Sequence, residues 1–239
     1  MPPIFDGLNL TEVVLLILGV ALFIVILLGL GAAMMKGKPF IKLLPFSFVS
    51  VAMIAYPLIQ KVQISATEVD IENTSNDLES NPTNQADRVK LSSDIAKLSG
   101  RTFSDPQALT KIARGQLILN DTQAAKANLQ EALQKDPQLP AAVSLQKRIQ
   151  AEEQLPALTQ RVQENPEDAQ AKTALQQNVA DLTKTGVANP VTLTNVAKAQ
   201  AALGNKEQAV ATVDKALTIN PKLEDAARLK TEMQAVPKQ

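Results

Sequence analysis

The sequence predicts an all-α protein in which two apolar helices precede a long series of short amphipathic helices. Three observations lead to this prediction. Residues 13–35 form an apolar run without a charge, and the later apolar residues recur at helical spacing between breaks rich in proline and asparagine. The alternating apolar pattern of strands is missing. The predicted architecture is therefore a two-helix transmembrane hairpin followed by an α-solenoid made of a tandem duplication.

The composition narrows the classes of function. The 239 residues contain 24 basic and 24 acidic side chains, no histidine and no cysteine. Zero net charge gives no reason to expect nucleic acid, which requires a basic surface. Without His and Cys, the commonest general base, the commonest metal ligand and the thiol nucleophile are all missing. We therefore expect no enzymatic activity, no cofactor or metal, no nucleic acid and no small-molecule substrate.

The first domain, residues 1–61, is predicted to be a membrane hairpin. Residues 13–35 would form a helix of about 35 Å, enough to cross the ~30 Å hydrocarbon core of a bilayer. The alternative is a buried helix of a soluble protein. A second apolar run, about residues 43–60, is shorter and has Pro45 and Pro57 near its ends. We predict a second span there, with an interfacial helix as the alternative.

The distribution of charge predicts the orientation of this hairpin. The connecting loop, residues 36–42, and its edge carry three lysines: Lys36, Lys38 and Lys42. The N-terminal leader has Asp6 and Glu12 and no basic residue. By the positive-inside rule the loop is cytoplasmic, so both termini lie outside the cytoplasm. We expect a protein of the inner membrane whose long C-terminal part lies in the periplasm.

An acidic segment, residues 62–80, is predicted to link the hairpin to the C-terminal part. It is either a helix that leaves the membrane or a flexible stalk. The polar residues at 73–76, Asn-Thr-Ser-Asn, favour a break there, because Asn and Ser side chains compete with the helix for backbone hydrogen bonds.

The C-terminal part matches itself when shifted by 84 residues. About 20 of the 70 positions from 81 to 150 are identical to their counterparts, without a gap. We interpret this as a tandem duplication with units at 71–154 and 155–238. The predicted helices of the first unit are 71–80, 84–99, 106–119, 122–135 and 139–153. Those of the second are 156–164, 168–183, 190–203, 206–219 and 223–235, with breaks at Pro82, Pro137 and before Pro156.

The segment from Pro190 to Pro221 contains two short helical patterns joined at Gly204-Asn205. Small residues stand where the two helices would approach each other, and a proline ends the second helix: Ala197, Ala209, Ala216 and Pro221. This segment resembles the tetratricopeptide repeat, a helix pair with a period of about 34 residues. The segment 106–137 is its counterpart in the first unit. The resemblance implies binding of extended peptides or partner helices on a concave surface.

The same resemblance implies candidate partner-binding residues on the first helix of each pair. These are Lys111 and Arg114 in one repeat, and Asn195 and Lys198 in the other. Arg114 and Lys198 are equivalent in the duplication, and two cations in a groove can hold acidic groups of a partner. The alternative is that they are ordinary solvated charges of a helix.

Together these features predict a membrane-anchored extracytoplasmic scaffold or adaptor. It would be an accessory or assembly subunit of a membrane protein complex. The order of two spans and a tetratricopeptide-like domain is also similar to the protein that presents apocytochrome during maturation of c-type cytochromes. That non-catalytic role is the alternative.

Overall fold

The computed structural model describes residues 5–35 and 44–235, and within these ranges it contains ten helices and no strand. The all-α prediction is confirmed for these residues. The predicted loop 36–42, with its three lysines, lies outside them. The helices are α1 Leu10–Met35, α2 Leu44–Ser80, α3 Gln85–Leu98, α4 Pro106–Ile118, α5 Thr122–Lys135, α6 Pro140–Glu164, α7 Ala169–Thr185, α8 Pro190–Ala202, α9 Lys206–Ile219 and α10 Glu224–Ala235.

The chain forms two compact units, of which the first comprises Met1–Val69 and Lys97–Asp105. In this unit α1 lies antiparallel to the first part of α2. A Cβ atom added to Gly7 would lie 3.0 Å from Ile64 Cγ2, and one added to Gly19 would lie 2.9 Å from Met53 Cβ. The partner number falls as the number along α1 rises, as it must in a hairpin. Gly19 is required because any side chain there would separate the two helices.

The hairpin exposes most of its apolar side chains. Among the described residues, 21 of the 23 exposed large hydrophobic side chains belong to α1 or α2. Both helices are long and apolar enough to cross a membrane, and only 17% and 11% of the residues in their most apolar stretches are buried. A core helix of a soluble protein would be mostly buried, so this alternative does not fit.

The segment before α1 is tied to the other parts of the first unit. The carboxylate of Asp6 accepts hydrogen bonds from the backbone N–H and the hydroxyl of Ser104. Lys61 Nζ donates to the Asp6 carbonyl at 2.7 Å. Arg101 Nη1 lies 3.0 Å from the carboxylate of Glu12, at the start of α1. The acidic leader is therefore held by partners close to the end of the hairpin where α1 begins.

The second unit comprises Asp70–Ala96 and Pro106–Gln239, and the last turns of α2 belong to it. The break expected at 73–76 is wrong, because α2 continues to Ser80. Burial explains the difference. Ile71 and Leu78 are fully buried, and Thr74 and Ser75 lie on the same buried face. The apolar contacts of this face outweigh the weak helix propensity of Asn, Thr and Ser.

A second expected break, before Pro156, is also wrong, because α6 runs from Pro140 to Glu164 with this proline inside it. A proline in a helix interior costs about 3 kcal/mol. Both halves of α6 are anchored by burial, and this offsets the cost. Leu145 and Ile149 belong to a first apolar cluster with α4 and α5, whereas Leu155 and Val162 belong to a second cluster with α7 to α10.

The helices of the second unit repeat with the spacing found in the sequence. Helices begin at residues 85, 106, 122 and 140, and again at 169, 190, 206 and 224, so that each pair of starts is 84 residues apart. In both repeats three residues join the paired helices, α4 to α5 and α8 to α9. Asn120 and Gly204 hold equivalent turn positions and both have positive φ, 70° and 83°.

Polar contacts connect the two repeats inside this unit. The amide of Asn189, which is 1% exposed, caps the start of α8 through Val191 N–H at 2.8 Å and donates to the carbonyl of Leu117 at 3.0 Å. Arg88 donates to the carbonyls of Pro82, Ile118 and Ala188. Arg88 therefore joins three chain segments, and its burial lowers its pKa from the ordinary value.

Candidate functional site

The polar face of α4 forms one wall of a pocket in the second unit. Lys111 and Arg114 are three residues apart and share a helix face with Gln107. The opposite face of α4 is buried, since Ala113 and Leu117 pack in the first apolar cluster. The amphipathic pattern of the helix therefore places both predicted cations in the pocket. We call this cavity the α4–α6 pocket, because α6 and the end of α2 form its other walls.

Ion pairs fill the charged end of the α4–α6 pocket. Lys111 Nζ lies 2.7 Å from a carboxylate oxygen of Glu72. Arg114 donates through Nε to Glu79 Oε1 at 3.0 Å and also pairs with Oε2. Arg148 Nη1 reaches the same Glu79 oxygen, Oε1, at 2.7 Å. One carboxylate on α2 thus joins a guanidinium of α4 to a guanidinium of α6.

Behind this pair lies a further carboxylate, Glu152, one turn after Arg148 on α6. Its Oε1 accepts from Arg148 Nε at 3.1 Å, and its Oε2 accepts from the hydroxyl of Thr192 on α8 at 3.0 Å. Burial raises the pKa of the Glu152 carboxyl above its ordinary value, against the opposing effects of Arg148 and Thr192. The network therefore extends from α2 and α4 through α6 to the second repeat.

The other wall of the α4–α6 pocket is apolar and comes from the start of α6 and the residue before it. Leu139, Pro140, Ala141 and Leu145 line it. The cavity has a volume of about 570 Å³. Pockets of 300–1,000 Å³ with an apolar lining and a few convergent polar groups are typical of ligand sites.

Two buried polar atoms that line this pocket lack a hydrogen-bond partner among the described residues. They are the hydroxyl of Ser75 and Nη2 of Arg148. The Ser75 residue is 1% exposed, and the Arg148 side chain is 6% exposed. Most buried polar groups in proteins have a partner, so two such groups in one pocket are unusual.

The other two predicted site residues lie elsewhere, because the second repeat uses α8 and α10 where the first uses α4 and α6. Asn195 is half-buried on α8. Lys198 Nζ lies 3.8 Å from the carboxylate of Asp225 on α10. The α4–α6 pocket therefore brings together Lys111 and Arg114, and neither Asn195 nor Lys198 lines it. The binding role predicted for these four residues stays a prediction.

Sequence reasoning missed Arg148, Glu79 and Ser75 as pocket residues. One signal for Arg148 was present: it lies between the core residues Leu145 and Ile149, four residues before Glu152. A charged pair at i and i+4 on the apolar face of a helix indicates buried ions with further partners. Glu79 and Ser75 carried no such signal, since the break expected in this segment hid their helix face.

The acidic pairs of the sequence have structural roles. Glu152 faces the network, whereas Glu153 pairs with Lys126 at the surface. Asp168 caps α7, accepting from Ala171 N–H at 2.9 Å, and this bond lowers its pKa. Within residues 5–35 and 44–235, no group of three or more potential metal-ligating side chains occurs.

Comparisons with known proteins add no family to this description. No protein-family model, curated protein or solved structure matches the chain.

Proposed function

We propose that this protein is a membrane-anchored scaffold, whose hairpin spans the inner membrane and whose tetratricopeptide-like helix pairs bind protein partners outside the cytoplasm. The apolar surface of the hairpin carries the proposal. With 21 exposed large hydrophobic side chains on α1 and α2, the first unit needs an apolar surrounding. A bilayer supplies it over the length of both helices.

The scaffold role is supported by the helix pairs α4–α5 and α8–α9, in which small buried residues allow close packing. Ala113, Ala125 and Ala132 are fully buried in the first pair, and Ala197 and Ala209 in the second. In tetratricopeptide proteins such pairs present a concave binding surface. The α4–α6 pocket supplies the charged and apolar groups that a bound segment needs.

The anchor and its orientation are tested with cysteine labelling, which is simple because the chain has no cysteine. We expect Thr173→Cys to react with a membrane-impermeant maleimide on intact spheroplasts. Lys38→Cys, in the predicted cytoplasmic loop, should react only after permeabilisation. The reverse pattern would contradict the orientation, and extraction of the protein by carbonate would contradict the anchor.

Partner binding is tested with photo-crosslinking in cells followed by mass spectrometry. A photoreactive residue replaces Gln107 in the pocket or, as a matched control, Gln123 on the surface of α5. We expect a stoichiometric membrane protein to crosslink at Gln107 and not at Gln123. Crosslinks of equal yield at both positions, or none at Gln107, would contradict a scaffold that binds through this surface.

A further inference from the structure

The α4–α6 pocket has a chemical composition that specifies a ligand. Its lining contains three cations and two carboxylates: Lys111, Arg114, Arg148, Glu72 and Glu79. Glu152 receives Arg148 Nε from behind and lies outside the lining. The lining therefore has one positive charge more than it has negative charges, and a single anionic group would balance it.

The unpaired donors identify the kind of anion. Nη2 of Arg148 and the hydroxyl of Ser75 are buried polar atoms without a hydrogen-bond partner in the described part of the chain. A guanidinium can only donate, and a serine hydroxyl can donate to a second acceptor oxygen. A carboxylate offers two acceptor oxygens and forms short, charge-assisted bonds with a guanidinium. It would therefore satisfy both groups.

The apolar wall defines the remainder of the ligand. Leu139 and Leu145 face the pocket together with Pro140 and Ala141. Burial of apolar surface contributes roughly 25 cal/mol per Å², so an aliphatic chain of a few carbons gains from this wall while a purely polar anion does not. The volume of about 570 Å³ accommodates such a chain together with its carboxylate.

We propose that the α4–α6 pocket binds a small aliphatic monocarboxylate. The carboxylate lies between Arg148 and Ser75 beside Arg114, and the chain lies on Leu139 and Leu145. This site goes beyond the scaffold role and does not depend on it. The site requires neither a membrane-spanning hairpin nor a protein partner.

The test is titration calorimetry on the full chain in lipid nanodiscs, with empty nanodiscs as the blank. Hexanoate is the probe. Hexanol has the same chain without the charge, and hexylammonium has the opposite charge. We expect saturable binding of one hexanoate per chain and no saturable binding of the other two. An equal response to hexanoate and hexanol would reflect partition into lipid and would overturn the proposal.

Variants separate this pocket from the rest of the surface. Ser75→Ala removes a hydroxyl that has no partner, so the fold is retained, and we expect about tenfold weaker binding of hexanoate for the lost charged hydrogen bond. Arg114→Met should weaken binding by a similar factor. Lys198→Met, at the equivalent position of the second repeat, should leave it unchanged.

Two results would overturn the assignment. The first is the same affinity for hexanoate in the wild type, Ser75→Ala and Arg114→Met. The second is an affinity that falls as much in Lys198→Met as in Arg114→Met, since this would indicate a general response to surface charge. A failure here leaves the crosslinking and labelling tests of the scaffold role unaffected.

Discussion

Replacing Gly186 with alanine should destabilise the second unit through one close contact. Gly186 follows α7 with φ 74° and ψ 100°, a backbone conformation that L-residues rarely adopt. A Cβ there would lie 3.0 Å from Glu79 Cβ and 3.1 Å from the Glu79 carbonyl oxygen. The carbonyl belongs to the backbone of α2 and cannot rotate away, so the chain itself must shift.

The magnitude follows from two terms. The positive φ costs about 1–2 kcal/mol for alanine, and forcing an extra methyl group into a packed position typically costs about 1–3 kcal/mol. We take about 3 kcal/mol in total. For a chain of this size, each kcal/mol shifts the melting temperature by about 2–4 °C. Gly186→Ala should therefore lower Tm by about 6–12 °C, measured by far-UV circular dichroism of the full chain in mild detergent.

Gly204→Ala is the matched control, because Gly204 has φ 83° and no atom within 4 Å of an added Cβ. It carries only the conformational term, about 1 kcal/mol, and should lower Tm by about 2–4 °C. Gly204→Asn should be nearly neutral, since Asn120 adopts this conformation at the equivalent position. If Gly186→Ala lowers Tm no more than Gly204→Ala, the close contact between the α7–α8 turn and α2 is refuted.

Three further predictions concern the same unit. Burial raises the pKa of Glu152, so the folded protein holds this proton more tightly than the unfolded chain; the resulting stability is complete below about pH 4.3, the ordinary value of a glutamate, and is lost as the pH rises through the raised pKa. Melting curves from pH 4 to 7.5 should therefore show a smaller loss of Tm with rising pH for Glu152→Gln than for the wild type, and parallel curves would contradict this. Glu79→Ala should cost about 3–5 kcal/mol in urea unfolding, because it leaves a buried guanidinium without its carboxylate, whereas Glu153→Ala at the surface should cost less than about 1 kcal/mol; equal losses would refute the buried network. Leu91→Ala and Leu175→Ala should each cost about 3 kcal/mol by the same measurement, since both side chains are fully buried at equivalent positions, and a neutral variant at either position would show that the two repeats pack differently.

The local pattern of the sequence predicted most helices of the second unit because their ends carry strong signals. The predicted helices 122–135 and 206–219 have the bounds found for α5 and α9. Asp168 and Asn189 cap their helices through side-chain oxygens, as their residue types suggest. These interactions lie within three residues of each helix start, so a single sequence contains the information.

The errors occur where distant contacts override local preference. The segment at 73–76 is helical because Ile71 and Leu78 are buried by other helices, and Pro156 is tolerated for a similar reason. The α4–α6 pocket was predicted in part. Helical spacing placed Lys111 and Arg114 on one face, whereas Arg148 comes from a helix that lies beside α4 only in the folded chain. The spacing of 84 residues showed equivalence between repeats but not the different partners of Arg114 and Lys198.

The continuity of α6 through Pro156 has a consequence for how the second unit unfolds. The helix contributes its first half to one apolar cluster and its second half to the other. Neither cluster can lose its part of α6 without disturbing the helix on which the other depends. The two repeats are therefore expected to melt in a single cooperative transition, and a protease site introduced beside Pro156 should release them from this coupling.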